Sequence, residues 1–473
     1  MKSNVKEPTI ENFLAFEREY KCHQIEVEGM PIWSLYRYEV HNAIKKHTVG
    51  RVEAEQTAFE QKELFKMALN ALRPFNYRNL DVVFVDVGRR NKNATTGVYE
   101  NIYFDELAKR YNSVILEHPI NHTHLQPNGM DNVFFTDRVA FETNIAIKLA
   151  NKLNTRKHKR YTKQVEETFA PIFQALQEWF GVDLKDELTE GFVERMYYFE
   201  ITKKYCSKIL DKANPKLIME LCYYSMECFA MSALGKERGI PTAEYSHGFA
   251  FPTHTPMQYN PEERISVLPD AELIYSRTQE DVVHLPDNIP LITVGYPFFE
   301  RERKRYKELY PREEKTICFL STQTEGIEIS KFAAAVAEAM ADEYRIIYKL
   351  HPKEITFYKE KYPWLLDKKI DIIDNLENHV YRYLAESSIC VSTCSATVWE
   401  GIGFGCKMVL LDIGATAKNM KFLTDTQRVP LVKDNNELIN LLKSGDIVQV
   451  DSDSIFEPNA MDNICRYIDS IIK

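Results

Sequence analysis

No run of this 473-residue sequence approaches the ~18 consecutive apolar residues that a bilayer-spanning helix requires. The opening stretch, Met1 to Glu7, leads into charged amphipathic sequence and lacks the apolar core of a secretory signal. The nine cysteines are an odd number at scattered spacings, which fits neither a disulfide framework nor a zinc site. Cys390 and Cys394 lie close together, but no second pair accompanies them. A cytoplasmic protein with reduced, mostly buried thiols is expected. An excess of positive charge is lacking too, and the net charge of -9 argues against a general nucleic-acid binder, which carries a basic face. There is no internal repeat and no low-complexity tract.

What is present is ordinary globular material, 44% hydrophobic and 27% charged. The length exceeds the size at which one core stops growing, so two domains are expected. Residues 1–77 read as an N-terminal helical region, with Phe13, Phe16, Tyr20 and then Trp33, Tyr36, Val40 at helical spacing. From residue 78 the texture changes to a strand–helix–strand rhythm, beginning at Asp81–Val87 and Ser113–Glu117 and implying a parallel sheet. This first Rossmann-like unit is expected over 78–299, with a helical insertion at about 140–212. A linker at 300–315, a second Rossmann-like unit at 316–457 and a helix at 458–473 packing back on the first domain complete the expectation. The fold class is thus α/β, two Rossmann-like domains facing a cleft.

Ligands of open α/β sheets bind at the carboxyl ends of the strands. Three polar loops follow strand-like runs here. Ser392–Thr397 leads into a helix whose first amides, with hydroxyls from Ser392, Thr393, Ser395 and Thr397, suit a phosphate, and Glu400 one turn on suits ribose hydroxyls. Gly401, Gly403 and Gly405 thin that helix for close approach. His351, ahead of Pro352 and between Lys349 and Lys353, offers hydrogen bonds and positive charge to a diphosphate. His247, between Ser246 and Gly248, is a candidate base for an acceptor hydroxyl, with His254 nearby. Arg89 and Arg90 end the first strand and are candidates for an acidic group of the acceptor, whereas Ser321, Thr322 and Gln323 are candidates for the diphosphate. His118, His122 and His124 cluster without the carboxylate or cysteine spacing of a metal site, so no metal is expected. The basic stretch Lys148–Lys163 reads either as a solvated helical face or as a peripheral membrane contact.

The set Ile240-Pro241, Ser246-His247-Gly248, Val294–Pro297, Tyr348–Pro352 and Ser395–Thr397 with Glu400 and Phe404–Lys407 resembles GT-B glycosyltransferases of bacterial capsule, O-antigen and other surface-polysaccharide synthesis. More distantly it is similar to polysialyltransferases and to CDP-glycerol transferases of teichoic-acid synthesis. The resemblance, over about residues 78–440, implies sugar transfer from a nucleotide-activated donor to a hydroxyl of a glycan or lipid-linked acceptor, without a cofactor or essential metal. It places the nucleotide in the second domain, on His351, Ser395–Thr397 and Glu400, and the acceptor in the first, beside His247. Relatives often carry Gln where this chain has Ser246. Many retaining members carry Glu where it has Ser392, which leans toward inversion. Two other readings stay open. One is a non-hydrolysing sugar-nucleotide 2-epimerase, which needs acid/base carboxylates that the sequence does not reveal. The other is a non-catalytic nucleotide- or glycan-binding member of a polysaccharide assembly complex.

Overall fold

In a computed structural model the chain is described except at residues 1–4, 50–60, 89, 93–96, 121–123, 126–129 and 378. One sheet contains β1 (Val82–Asp86), β4 (Ser113–Glu117), β5 (Val133–Phe135), β6 (Leu217–Glu220), β7 (Thr242–Tyr245), β8 (Ala271–Ile274) and β9 (Leu291–Thr293). A short antiparallel hairpin, β2 (Asn91–Lys92) and β3 (Tyr99–Glu100), lies between β1 and β4 in the chain. The sheet is parallel throughout, in the order β5-β4-β1-β6-β7-β8-β9. A second parallel sheet contains β10 (Glu313–Leu320), β11 (Arg345–Lys349), β12 (Asp371–Ile373), β13 (Ser387–Ser392), β14 (Lys407–Leu411) and β15 (Leu431–Val432). Its order is β12-β11-β10-β13-β14-β15. Counted by chain order within each sheet, both wind 3-2-1-4-5-6, the order of a nucleotide-binding Rossmann sheet, and the first adds one further strand. The chain is therefore mixed α/β with two Rossmann-like domains.

The strands are apolar on both faces because both faces are covered. Val83, Val85, Val114 and Leu116 pack into one core with the helices Ile10–Tyr20, Ile32–Val49, Arg156–Phe180 and Lys185–Ala213. Val82, Phe84, Ile115 and Leu217 pack on the other side, in a core that runs on into the second domain through Phe299, Trp399, Phe404 and Phe456. The two domains thus share continuous apolar contact.

Several elements differ from the sequence expectation. The N-terminal region is broken into Ile10–Tyr20, Ile32–Val49 and Gln61–Ala71, the first of these ending where Lys21 adopts a left-handed backbone (φ 48°). The helix of the first strand–helix–strand unit is short, Asp105–Ala108. The charged connection is itself a helix, Pro297–Leu309, whose Phe299, Glu302 and Tyr306 are buried, and β10 begins at Glu313. Apart from Glu302, which pairs with Arg301 and Arg305, its charges lie off the buried stripe of an amphipathic helix. The helix expected at 458–473 is Ala460–Ile472, set off from a separate short helix, Ser452–Ile455, by Pro458 and a left-handed Asn459. That last helix lies against the first domain, where the Tyr111 hydroxyl donates to Asp469 (3.1 Å) and Asn463 donates to the Val294 carbonyl (3.2 Å).

Candidate functional site

Loops at the carboxyl ends of the two sheets come into contact. The loop after β7 reaches the second domain, where Phe249 stacks on Trp399 at 4.7 Å between ring centres and Thr253 donates to Asn419 (2.8 Å). In each sheet the strand order reverses beside the first strand, between β1 and β6 and between β10 and β13, and these are the positions where such folds open a crevice.

On the second-domain side, Ser395 is the N-cap of the helix Ala396–Phe404, its hydroxyl accepting from the Thr397 amide (3.3 Å) and lying 2.9 Å from the Thr397 hydroxyl. Ala396 is exposed at the positive end of this helix, whereas the Thr397 and Val398 amides are bonded to the Ser395 hydroxyl and carbonyl (3.1 Å to the carbonyl). Glu400 accepts from the Tyr381 hydroxyl (2.6 Å), and burial lifts its pKa to about 7. Two expectations at this helix fail. Ser392 and Thr393 are fully buried, with the Ser392 hydroxyl bonded to the Leu320 carbonyl, so neither is available to a ligand. The glycines make room for the protein itself: a Cβ at Gly401 would meet Met408, and one at Gly403 would meet Phe299 and Phe456.

His351 caps the short turn Pro352–Glu354. Its Nδ1 accepts from the Lys353 amide (3.2 Å), which leaves the ring hydrogen on Nε2, a donor suited to a phosphate oxygen. Burial lowers its pKa, with Glu354 opposing. Lys353 is exposed, and Lys349 is buried with its ammonium on the Leu350 carbonyl (3.1 Å) and its pKa lowered by burial. Sequence reasoning missed Glu354. Wholly buried, it accepts from the His351 amide (2.7 Å), the Ser321 hydroxyl (2.9 Å) and the Tyr362 hydroxyl (2.6 Å), and so ties the His351 loop to the loop after β10. The signal was there: a capping residue followed three positions later by Glu is a capping box, here with histidine as the cap. Thr322 is nearly buried with its hydroxyl taken by Glu325 (2.5 Å), whereas Gln323 is exposed.

On the first-domain side, His247 follows β7. Its Nδ1 is 3.3 Å from Glu244, its Nε2 is 3.1 Å from the Tyr224 hydroxyl, and its carbonyl accepts from Tyr103 (2.9 Å). The His254 ring lies 6.4 Å away; burial, with His247 and Lys45 adding to it, lowers the His254 pKa to about 4. The loop carrying His254 is clamped by the N-terminal helices, where Arg37 donates to the carbonyls of Thr255 (2.6 Å) and Gln258 (2.7 Å) and pairs with Glu17.

A row of carboxylates, also missed, lines the edge of the first sheet behind His247. Glu220, Glu244 and Glu272 are direct neighbours on β6, β7 and β8, and Asp86 and Glu117 are neighbours on β1 and β4. All five are at most 1% exposed. Burial holds Glu220, Glu244 and Glu272 above the ordinary carboxylate range, with repulsion from Glu244 adding to it at Glu272. Burial, then repulsion from Glu117, pushes Asp86 up to about 7. Glu244 Oε2 and Glu272 Oε2 meet no donor among the described residues, and one shared proton satisfies both. Glu244 Oε1, which accepts from the Cys222 amide (3.0 Å), is then the acceptor that holds the hydrogen on His247 Nδ1 and leaves Nε2 basic.

Two acceptor-side candidates are corrected. Arg90 is fully buried, pairing with Glu117 (2.6 Å) and Asp105 (3.2 Å), so it holds the sheet edge together and does not meet a ligand. Ser246 is buried with its hydroxyl on Glu272 (2.6 Å). Arg89 lies outside the described residues, as does His122. The other clustered histidines are engaged in ion-pair contacts, His118 with Glu227 (2.7 Å) and His124 with Glu117 (2.9 Å) and Asp137 (2.8 Å).

No protein-family model matches the chain, and no curated protein matches its sequence. Among solved structures the chain is similar to a UDP-GlcNAc 2-epimerase from Methanocaldococcus jannaschii (10% identity, 82% of this chain and 99% of that one, TM-score 0.47). It is similar to a UDP-GlcNAc 2-epimerase from Neisseria meningitidis bound to UDP-GlcNAc (13% identity, 82% and 100%, TM-score 0.42). A UGT transferase from Siraitia grosvenorii in complex with UDP is similar over 83% of this chain and 100% of that one (10% identity, TM-score 0.42).

Proposed function

We propose that the chain is a glycosyltransferase that moves a sugar from a nucleotide-activated donor to a hydroxyl of a glycan or lipid-linked acceptor in bacterial surface-polysaccharide synthesis. The observation that carries this reading is the contact between the loop that follows His247 in the first domain and the helix that follows Ser395 in the second, made by Phe249 on Trp399. His351, Lys353 and that helix follow β11 and β13 of the second sheet, and His247 follows β7 of the first.

The nucleoside diphosphate lies on the second domain, its phosphates on His351 and the positive end of the helix after Ser395 and its ribose on Glu400. His247 Nε2 takes the acceptor hydroxyl proton as the new carbon–oxygen bond forms. The bond from the anomeric carbon to the diphosphate breaks, and the leaving negative charge meets positive groups already in place. The Lys353 ammonium, the His351 Nε2 hydrogen and the positive end of the helix after Ser395 supply the charge stabilisation, and attack from the side opposite the diphosphate inverts the anomeric centre. The nucleotide-sugar is a substrate, and no cofactor takes part.

One observation favours a second reading. Asp86, at the first sheet's switch point with a pKa of about 7, is the kind of carboxyl that a sugar-nucleotide 2-epimerase needs for acid/base work. Incubating the protein with UDP-sugars, with and without a glycan acceptor panel, separates the two. The expected outcome is a glycosylated acceptor and free nucleotide only when acceptor is present. An epimerised UDP-sugar formed without acceptor would replace the transferase reading with the epimerase one.

A further inference from the structure

The helix Asp137–Leu153 has two apolar faces. Val139, Ala140, Thr143 and Ala150 face the core. On the opposite side Phe141, Ile145, Leu149 and Leu153 recur every fourth residue and are 36, 42, 50 and 64% exposed. At 1.5 Å per residue they form one ridge about 18 Å long. The helix Gln61–Ala71 packs alongside, and Leu69 and Leu72 at its end are 52% and 81% exposed as well. Isolated exposed apolar side chains are unremarkable, but a continuous ridge marks a binding surface.

Cations stand beside the ridge. Lys148 and Lys152 lie on the same side of the helix, and Arg156 and Lys159 open the next one; all four are exposed and form no ion pair among the described residues. Glu142, the carboxylate on that side among the described residues of this helix, is bonded to Arg138 (2.7 Å). A second copy of the chain fits this surface poorly, since a two-fold contact sets each lysine near its own counterpart.

We propose that this ridge docks the protein on an anionic lipid bilayer, the helix lying in the interface with its apolar side chains among the acyl chains and its lysines at the headgroups. The surface is on the opposite face of its helix from the core and uses none of the cleft residues, so the proposal stands or falls independently of the transferase reading.

Flotation with vesicles of equal parts phosphatidylcholine and phosphatidylglycerol tests it. The parent should bind these vesicles, and binding should weaken as salt rises. Lys148→Gln with Lys152→Gln should weaken it by ~5-fold per lysine. Ile145→Glu with Leu149→Glu should abolish it while leaving the unfolding midpoint and nucleotide binding unchanged. The proposal is overturned if the parent does not bind, if either variant binds like the parent, or if the ridge proves to join two copies that the glutamate variant separates.

Discussion

Replacing His247 with alanine is expected to lower sugar transfer by about 10²–10⁴-fold, the range typical of removing a general base, and to leave nucleotide affinity unchanged. The separation follows from geometry. His247 belongs to the first domain, whereas the groups suited to the nucleotide follow strands of the second. Its ring is fixed from both sides, by Glu244 at Nδ1 and Tyr224 at Nε2, so an acceptor hydroxyl replacing the Tyr224 hydroxyl meets a preoriented base. Tyr224→Phe should therefore be mild, because the histidine remains held through Glu244. Glu244→Gln should lower transfer more than Tyr224→Phe, because a side-chain amide cannot share a proton with Glu272 in the same way. Initial rates at saturating donor, with binding measured separately by calorimetry, decide the matter. Transfer at the parent rate in His247→Ala would place the base elsewhere.

The largest expected effect on stability is at Arg37. Its guanidinium is 3% exposed, pairs with the wholly buried Glu17 and donates to two carbonyls of the loop that carries His254. Burial alone would raise the Glu17 pKa, but Arg37 and His23 hold it well below the usual carboxylate range. Arg37→Met takes the guanidinium from the buried Glu17 charge, which keeps only its contacts with Trp33 and His23, and removes a donor from each of the two carbonyls, at a cost of about 3–5 kcal/mol. Glu17→Gln with Arg37→Met should recover part of the loss, since no unpaired charge remains. Trp33 and Trp179 both lie in the helical lobe, and Trp33 donates to Glu17 itself (2.7 Å), so tryptophan fluorescence during urea unfolding reads the transition where the change is made. An unaltered midpoint for Arg37→Met would mean that the pair is solvated in solution. The expected secondary effect is weaker transfer, because the clamp on the 254–258 loop is released.

The alternation of apolar strands with helices was readable because parallel strands covered on both faces need continuous apolar runs such as Val82–Val85 and Ile346–Tyr348. The loops after them were readable because strand ends carry their polar residues in small groups, as at His247, His351 and Ser395. What those groups bond to was not, since each partner comes from a distant segment. Arg90 looks like a ligand-binding arginine until Glu117 and Asp105 are brought beside it. Gly401 and Gly403 look like space for a ligand until Met408, Phe299 and Phe456 fill it. The carboxylate row needed the strand register, although one hint was local: β1, β4 and β6 each end on an acidic residue after an apolar run. Glu354 was legible as the last member of a capping box, yet its role in joining His351 to Ser321 depends on a contact between residues 33 positions apart.

The most direct test of the account is a thermal-shift panel of CMP, CDP, UDP, GDP and dTDP on the parent and on His351→Ala. A ligand at 100 times its dissociation constant adds about 2.7 kcal/mol to the folded state, enough to raise the melting temperature visibly. The account predicts that at least one nucleoside diphosphate stabilises the parent and that His351→Ala loses most of that shift. No stabilisation by any of the five, or an equal shift in the variant, would contradict a nucleotide site on the second domain.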